Sequence, residues 1–263
     1  MLELYQFALC QYCEKVRLIL DYKGLEYRKI EVTPGVGQWE LWQMSGQKQV
    51  PVLKDGDRVI ADSTAIALYL EDKYPERPII PTDPRPRGQC LLMEEWADES
   101  MGLKIPKAFI GALNQNPHLR TSILPQQTPE PVKTLVGAVP SELLDFLGAG
   151  VGFGGDAVIS AQKGLERDLE YLCLILQQRP YLLGDSPTLA DLTVAALSII
   201  LKFPDGPYLD LPTEVRGKGI PGLADNSAYD TFFAWRDRLY QEYRQSLNTT
   251  DNSDSSPTSI DIE

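Results

Sequence analysis

Residues 2–32, LELYQFALCQYCEKVRLILDYKGLEYRKIEV, decide the fold. Residues 2–7 alternate apolar and polar side chains, as a half-buried strand does. From Cys13 onward, Val16, Ile19 and Leu20 fall on one face of a helix, and Gly24 supplies its stop. Tyr27–Val32 reads as a second strand, with Ile30 and Val32 alternating. Strand, helix and strand within so short a stretch predict a βαβ unit with a parallel pair.

Working outward, residues 33–47 contain a short Trp-rich stretch around Trp39 and Trp42. Val50-Pro51-Val52-Leu53 and Arg58-Val59-Ile60-Ala61 flank Asp55-Gly56-Asp57, apolar runs around a turn that predict a hairpin. Ser63 stands where a helix N-cap is expected, Ala65, Ile66, Tyr69 and Leu70 follow at helical spacing, and Tyr74-Pro75 closes the helix. The first domain, residues 1–81, thus reads β-α-β-(α)-β-β-α. Residues 75–87 hold five prolines among polar residues and read as a linker.

Beyond it the strand signal vanishes. Helical patterns run through Leu91, Leu92, Trp96 and Leu103, then through Leu165, Leu169, Leu172 and Leu176. Two further helices are expected over 188–201 and 229–243. Residues 84–246 are therefore expected to be an all-helical domain. It carries a long Pro/Gly-rich insertion near 114–155, a functional loop or a variable one. Residues 247–263 have no Lys or Arg and four acids, Asp251, Asp254, Asp261 and Glu263, and are expected to be a disordered acidic tail.

Composition limits the function. The chain has 263 residues, with 25 Lys+Arg against 37 Asp+Glu and a net charge of −12, which argues against a nucleic-acid partner. At 43% hydrophobic it can build a core. The single histidine excludes a His-rich metal centre and leaves only His118 for a Ser-His-Asp triad. The start of the chain shows no basic segment followed by an apolar run, and no stretch has the roughly 18 apolar residues needed to span a bilayer, so a cytoplasmic protein with reduced thiols is expected.

Chemistry concentrates at Cys10-Gln11-Tyr12-Cys13, where the first strand meets the first helix. A thiol at a helix N-terminus faces free N–H groups and the positive end of the dipole, both of which favour thiolate. Cys10 is expected to be exposed and to attack, and Cys13, one turn in, to resolve a mixed disulfide. Two alternatives attach to the motif: a zinc site, which would have to recruit from the scattered Cys90, Cys173 and His118, and a pair of buried packing thiols. Val50-Pro51 is a candidate cis peptide that would turn the Val50 backbone toward a peptide-like ligand; an ordinary trans proline at a strand start is the alternative. At Asp62-Ser63, the Ser63 hydroxyl with the free N–H groups suits a carboxylate and Asp62 suits an ammonium; a plain N-cap is the alternative.

Taken together, these features share one layout. Gln49-Val50-Pro51-Val52-Leu53, Asp62-Ser63-Thr64-Ala65-Ile66 with Tyr69-Leu70, and Leu183-Gly184-Asp185-Ser186-Pro187-Thr188-Leu189-Ala190-Asp191 resemble the glutathione S-transferase superfamily over roughly residues 1–245. The resemblance implies a thioredoxin-like α/β N-terminal domain and an all-α C-terminal domain, with glutathione as co-substrate and no metal. It places the Val50 backbone on the cysteinyl part of glutathione, with Pro51 beside it in the glutathione site, Asp62 and Ser63 on the γ-glutamyl end with Gln49 assisting, and Cys10 against the glutathione sulfur. The CxxC form looks most like the omega- and glutaredoxin-like branch, which favours thiol transfer and reduction. Two features depart from the pattern: Gln11-Tyr12 stand between the cysteines where glutaredoxins often have Pro, and Asp62 stands where Glu or Gln is common. A homodimer is also implied. Thr188 and Asp191 form a capping box on their own physical reading, a folding element in the family and not a ligand site.

The expectation is a glutathione-dependent thiol transferase acting on a mixed disulfide or an apolar small molecule in the cleft between domains. The alternatives are a conjugating transferase in which Cys13 is incidental, and a non-catalytic binding or scaffold protein. Tyr5 reads as packing, Cys90 and Cys173 as core, and His118 as a loop residue. The glycine run 148–155 lacks the βαβ context of a nucleotide loop. The apolar stretch 135–159 lacks the basic residues of a membrane-surface segment, and is expected to cover the second-substrate pocket or a subunit interface.

Overall fold

The computed structural model describes residues 1–33, 35–124, 128–141 and 154–246. The acidic tail lies outside them, as do all but Gly154 and Gly155 of the glycine run. The first third follows the predicted order: β1 Leu2–Gln6, α1 Gln11–Lys23, β2 Tyr27–Glu31, α2 Val36–Ser45, β3 Val52–Asp55, β4 Arg58–Ala61 and α3 Ser63–Lys73. The sheet order is β2-β1-β3-β4, with β1 parallel to β2 and the other pairs antiparallel. Gly24 ends α1 at φ 69°, its N–H returning to the Leu20 and Asp21 carbonyls. Gly56, at φ 59°, makes the tight β3–β4 turn that L side chains resist.

Strand alternation assigns the two faces. Leu2, Leu4 and Leu53 meet α1 and α3 in the main core, whereas Val32, Leu41 and Val52 form a smaller cluster with α2 that Tyr5, Phe7 and Val50 edge. Tyr5 is accordingly a packing residue.

The remainder is helical: α4 Pro84–Trp96, a π turn Ala97–Met101, α5 Gly102–Gln115, α6 Pro117–Ser122, α7 Glu130–Ala138, α8 Gly155–Leu176, α9 Leu189–Leu197 and α10 Asp230–Tyr243. Three expectations need correction. Pro84 and Pro86 open α4 and are not linker, because proline fits the first helical turn, where no N–H acceptor is needed. His118 lies in α6, which Asn116 caps by accepting the Leu119 N–H at 3.0 Å. Leu92 and Leu103 are exposed; the buried stripe of α4–α5 is Cys90, Glu94, Ala97, Met101, Ile105, Ala108 and Ala112, a helical period whose one charged member, Glu94, pairs with Lys15.

Helix α9 is buried on every side and packs on α1, the pattern of a helix at the centre of a core. Its start is held as predicted. Asp191 accepts the Thr188 N–H and hydroxyl, both at 2.8 Å, and the Leu182 N–H at 2.7 Å. One continuous hydrophobic cluster runs from Leu4 and Ile19 through α9 to Leu165 and Phe232, so the sheet and the helices share a core.

Candidate active site

Cys10 is the N-cap of α1, with extended backbone at φ −78° and ψ 117°. Its Sγ accepts the Cys13 N–H at 3.2 Å and lies 4.0 Å from the Val50 carbonyl, which brings together two sequence-predicted positions 40 residues apart. Val50-Pro51 is cis. Cys10 is half-buried and Cys13 fully so. The Cys10 thiol is held below its ordinary range: the Cys13 side chain hydrogen-bonds to it, burial opposes, and the Cys13 N–H, the Arg17 charge and the Tyr12 N–H add to the lowering. Burial, then the hydrogen bond and charge of Cys10, push the Cys13 thiol up. The two sulfurs therefore diverge: half-buried Cys10 is shifted toward the thiolate, and buried Cys13 toward the thiol. Cys13, expected to resolve a disulfide, is sealed from solvent.

Asp62, not Ser63, caps α3. Its carboxylate accepts the Ala65 N–H at 2.9 Å, and this local bond accompanies a φ of 77°, which a non-glycine residue rarely adopts. Asp62 and Gln49 are exposed, while Ser63 is buried as the first residue of the helix. The Ser63 hydroxyl lies 3.4 Å from Lys15 Nζ, so α1 and α3 present their N-termini side by side.

Lys15 was not legible in the sequence. It is fully buried and pairs with Glu94 at 2.5 Å and Asp98 at 2.7 Å. The Thr64 hydroxyl sits among them, 3.0 Å from Lys15 Nζ and 2.6 Å from Glu94 Oε1. Glu94 lies on the buried stripe of α4 for this reason: it must reach Lys15. Burial raises the Asp98 carboxyl against the pull of Lys15, and Asp98 Oδ1 has no hydrogen-bond partner. The Asp98 carbonyl, in the π turn, accepts from the Tyr12 hydroxyl at 3.2 Å. Gly102 leaves room for that ring, since a Cβ there would lie 2.6 Å from the Tyr12 oxygen.

Among the described residues no cluster of three or more His, Cys, Asp or Glu side chains could hold a metal ion, and no helix is long and apolar enough to cross a membrane. Cys90 and Cys173 are buried core thiols, and all four cysteines are free. His118 lines a cleft of about 800 Å³ with Thr121, Lys133 and Glu214, and Cys10 is not part of that cleft.

The mixed four-stranded sheet continued by a helical half is the fold of solved glutathione transferases. Residues 4–78 match the family of glutathione S-transferase N-terminal domains. A zeta-class glutathione S-transferase of Euphorbia esula is 41% identical over 85 residues, 31% of this chain and 38% of that protein. A glutathione S-transferase of Triticum aestivum is 42% identical over 77 residues, 29% of this chain and 36% of that protein. The chain thus aligns with little more than a third of these curated relatives. Protein LigF of Sphingobium sp. strain SYK-6 matches at 26% identity over 243 residues, 90% of this chain and 89% of that protein. The crystal structure of the β-etherase LigF superposes with a TM-score of 0.63 at 24% identity, covering 91% of this chain and 94% of that one.

Proposed function

We propose that the chain is a glutathione-dependent transferase in which Cys10 is the reacting sulfur and thiol transfer is the main activity. The observation that carries this reading is the N-cap geometry of Cys10, whose sulfur accepts the Cys13 N–H at 3.2 Å beside the Val50 carbonyl. Glutathione lies along the Val50-Pro51 edge, with its γ-glutamyl end at Asp62 and Ser63 and with Gln49 at the rim. The Cys10 thiolate attacks the glutathione sulfur of a mixed disulfide, forming a Cys10–glutathione disulfide and releasing the substrate as thiolate. A second glutathione thiolate attacks that disulfide, yielding oxidised glutathione and restoring Cys10. Cys13 supports the thiolate as a hydrogen-bond donor and need not leave the core.

A second reading has its own support. The full-length similarity to LigF and the zeta-class match point away from the glutaredoxin-like branch. They favour attack of the glutathione thiolate on a carbon centre, with Cys10 steadying that thiolate. The two readings separate by trapping. Incubation with a glutathione mixed disulfide, acid quench and mass measurement is expected to show one glutathione on the Cys10 peptide and faster disulfide reduction than aryl-halide conjugation. Conjugation without any Cys10 adduct would favour the carbon-centred reading, and failure to bind immobilised glutathione would favour a scaffold.

The same reading includes a homodimer. Leu68 on α3 and Leu92 on α4 are 43% and 73% exposed, on helices that the Thr64–Glu94 contact holds together. Light scattering is expected to give twice the 29.4 kDa chain mass, and Leu92→Glu to lower it. A monomeric wild type would refute the dimer.

A further inference from the structure

A buried cation stands behind Cys10. Arg17 is 2% exposed, and its guanidinium donates to several elements at once. Nε reaches Glu14 Oε2 at 2.5 Å, Nη1 reaches Gln6 Oε1 at 2.5 Å and the Phe7 carbonyl at 3.5 Å, and Nη2 reaches the Ala8 carbonyl at 2.9 Å. Phe7 and Ala8 begin the crossing from β1 to α1, and the Cys10 N–H closes that crossing on the Phe7 carbonyl at 3.2 Å. Glu14 is shared with a residue 230 positions away. Arg244, just past α10, donates Nε to Glu14 Oε1 at 2.8 Å and Nη1 to Asp21 Oδ2 at 2.6 Å. All four charged groups are buried. Burial raises the Glu14 carboxyl, but Arg244 and Arg17 outweigh it and hold it at about 2.

We propose that Arg17 is a positioning residue for Cys10: its guanidinium fixes the Phe7 and Ala8 carbonyls and so sets the sulfur over the N-terminus of α1, and Arg244 completes the arrangement by sharing Glu14. The inference rests on the reading of Cys10 as the reacting sulfur. The obvious alternative is that Arg17 only neutralises Glu14. A packing role of that kind would require no bond to the Phe7–Ala8 segment, yet the guanidinium makes two. The titratable and charged groups that bear on Cys10 are Cys13 and Tyr12 on its own helix and Arg17 one turn further; those that bear on Arg17 are Glu14, Cys13 and Arg244.

The test uses the full chain with Arg17→Gln, Arg17→Lys and Arg244→Gln. Two quantities are read: the pH profile of iodoacetamide alkylation at Cys10, by mass of its peptide, and hydrogen exchange over residues 7–10. Arg17→Gln is expected to move the alkylation midpoint upward, to slow the reaction at pH 7 about fivefold and to speed exchange over 7–10. Arg17→Lys keeps the charge but cannot clamp two carbonyls, so it is expected to recover the midpoint and not the protection. Arg244→Gln is expected to shift both in the same direction by less. Wild-type exchange over 7–10 in Arg17→Gln, or in Arg17→Lys should the glutamine variant not fold, would overturn the proposal. If wild-type Cys10 instead titrates as an ordinary thiol, the thiolate reading falls, and the exchange result decides the positioning role independently.

Discussion

Cys10→Ser is expected to lower mixed-disulfide reduction by a factor on the order of 10³, because a serine hydroxyl stays protonated at neutral pH and forms no disulfide. The loss should fall on kcat. Glutathione affinity should change little, since the Val50 backbone, Asp62 and Ser63 remain. Cys13→Ser is a sharper comparison. It leaves the nucleophile in place and keeps a donor beneath it, a hydroxyl in place of the weaker thiol, so a change of only a few-fold is expected. Parallel assays of both variants on a glutathione mixed disulfide and on an aryl halide check this. A Cys10→Ser enzyme that keeps its reductase rate would sink the thiol-transfer reading. One that loses reduction but keeps conjugation would show that the two activities need different atoms.

The largest effect on stability is expected at Asp191. Its carboxylate, fully buried, takes the Thr188 N–H, the Thr188 hydroxyl and the Leu182 N–H. Alanine strands all three donors in the core at the start of the helix that the sheet and the other helices share. Leaving buried donors unpaired costs about 1–3 kcal/mol each, so Asp191→Ala should lose about 3 kcal/mol or more, or roughly 10 °C in Tm. Asp191→Asn keeps an acceptor and should lose less. Urea denaturation of the three proteins measures the difference, and a loss under about 1 kcal/mol for alanine would show that water replaces the carboxylate there.

The capping of α9 was legible because both partners lie three residues apart. The same locality explains the success over residues 2–32, where alternation, helical spacing and Gly24 each act within a few positions. What escaped were contacts between remote parts of the chain. Helix α1 seemed to offer one apolar face through Val16, Ile19 and Leu20, yet Glu14, Lys15, Arg17 and Asp21 are buried too. Nothing near them in sequence signals that burial, because Lys15 finds its carboxylates 79 and 83 residues away and Glu14 meets an arginine 230 residues away. On α4, a leucine count favoured Leu92, whereas spacing from Cys90 through Ala97 to Met101 would have found the stripe and shown that Glu94 belonged to it. At α3, Asp62-Ser63 offered two capping residues in a row; the helical spacing pointed to Ser63, and Asp62 takes the cap.

Those remote charge pairs limit how freely the parts of this molecule can be recombined. A chimera that grafts its first 81 residues onto another helical half would leave Lys15 without Glu94 and Asp98 and Asp21 without Arg244, while Glu14 would keep only Arg17. Each buried charge left without its opposite costs about 3–5 kcal/mol, together comparable to the stability of an ordinary domain. Exchange of halves between such proteins is therefore confined to donors that bring the matching ions with them.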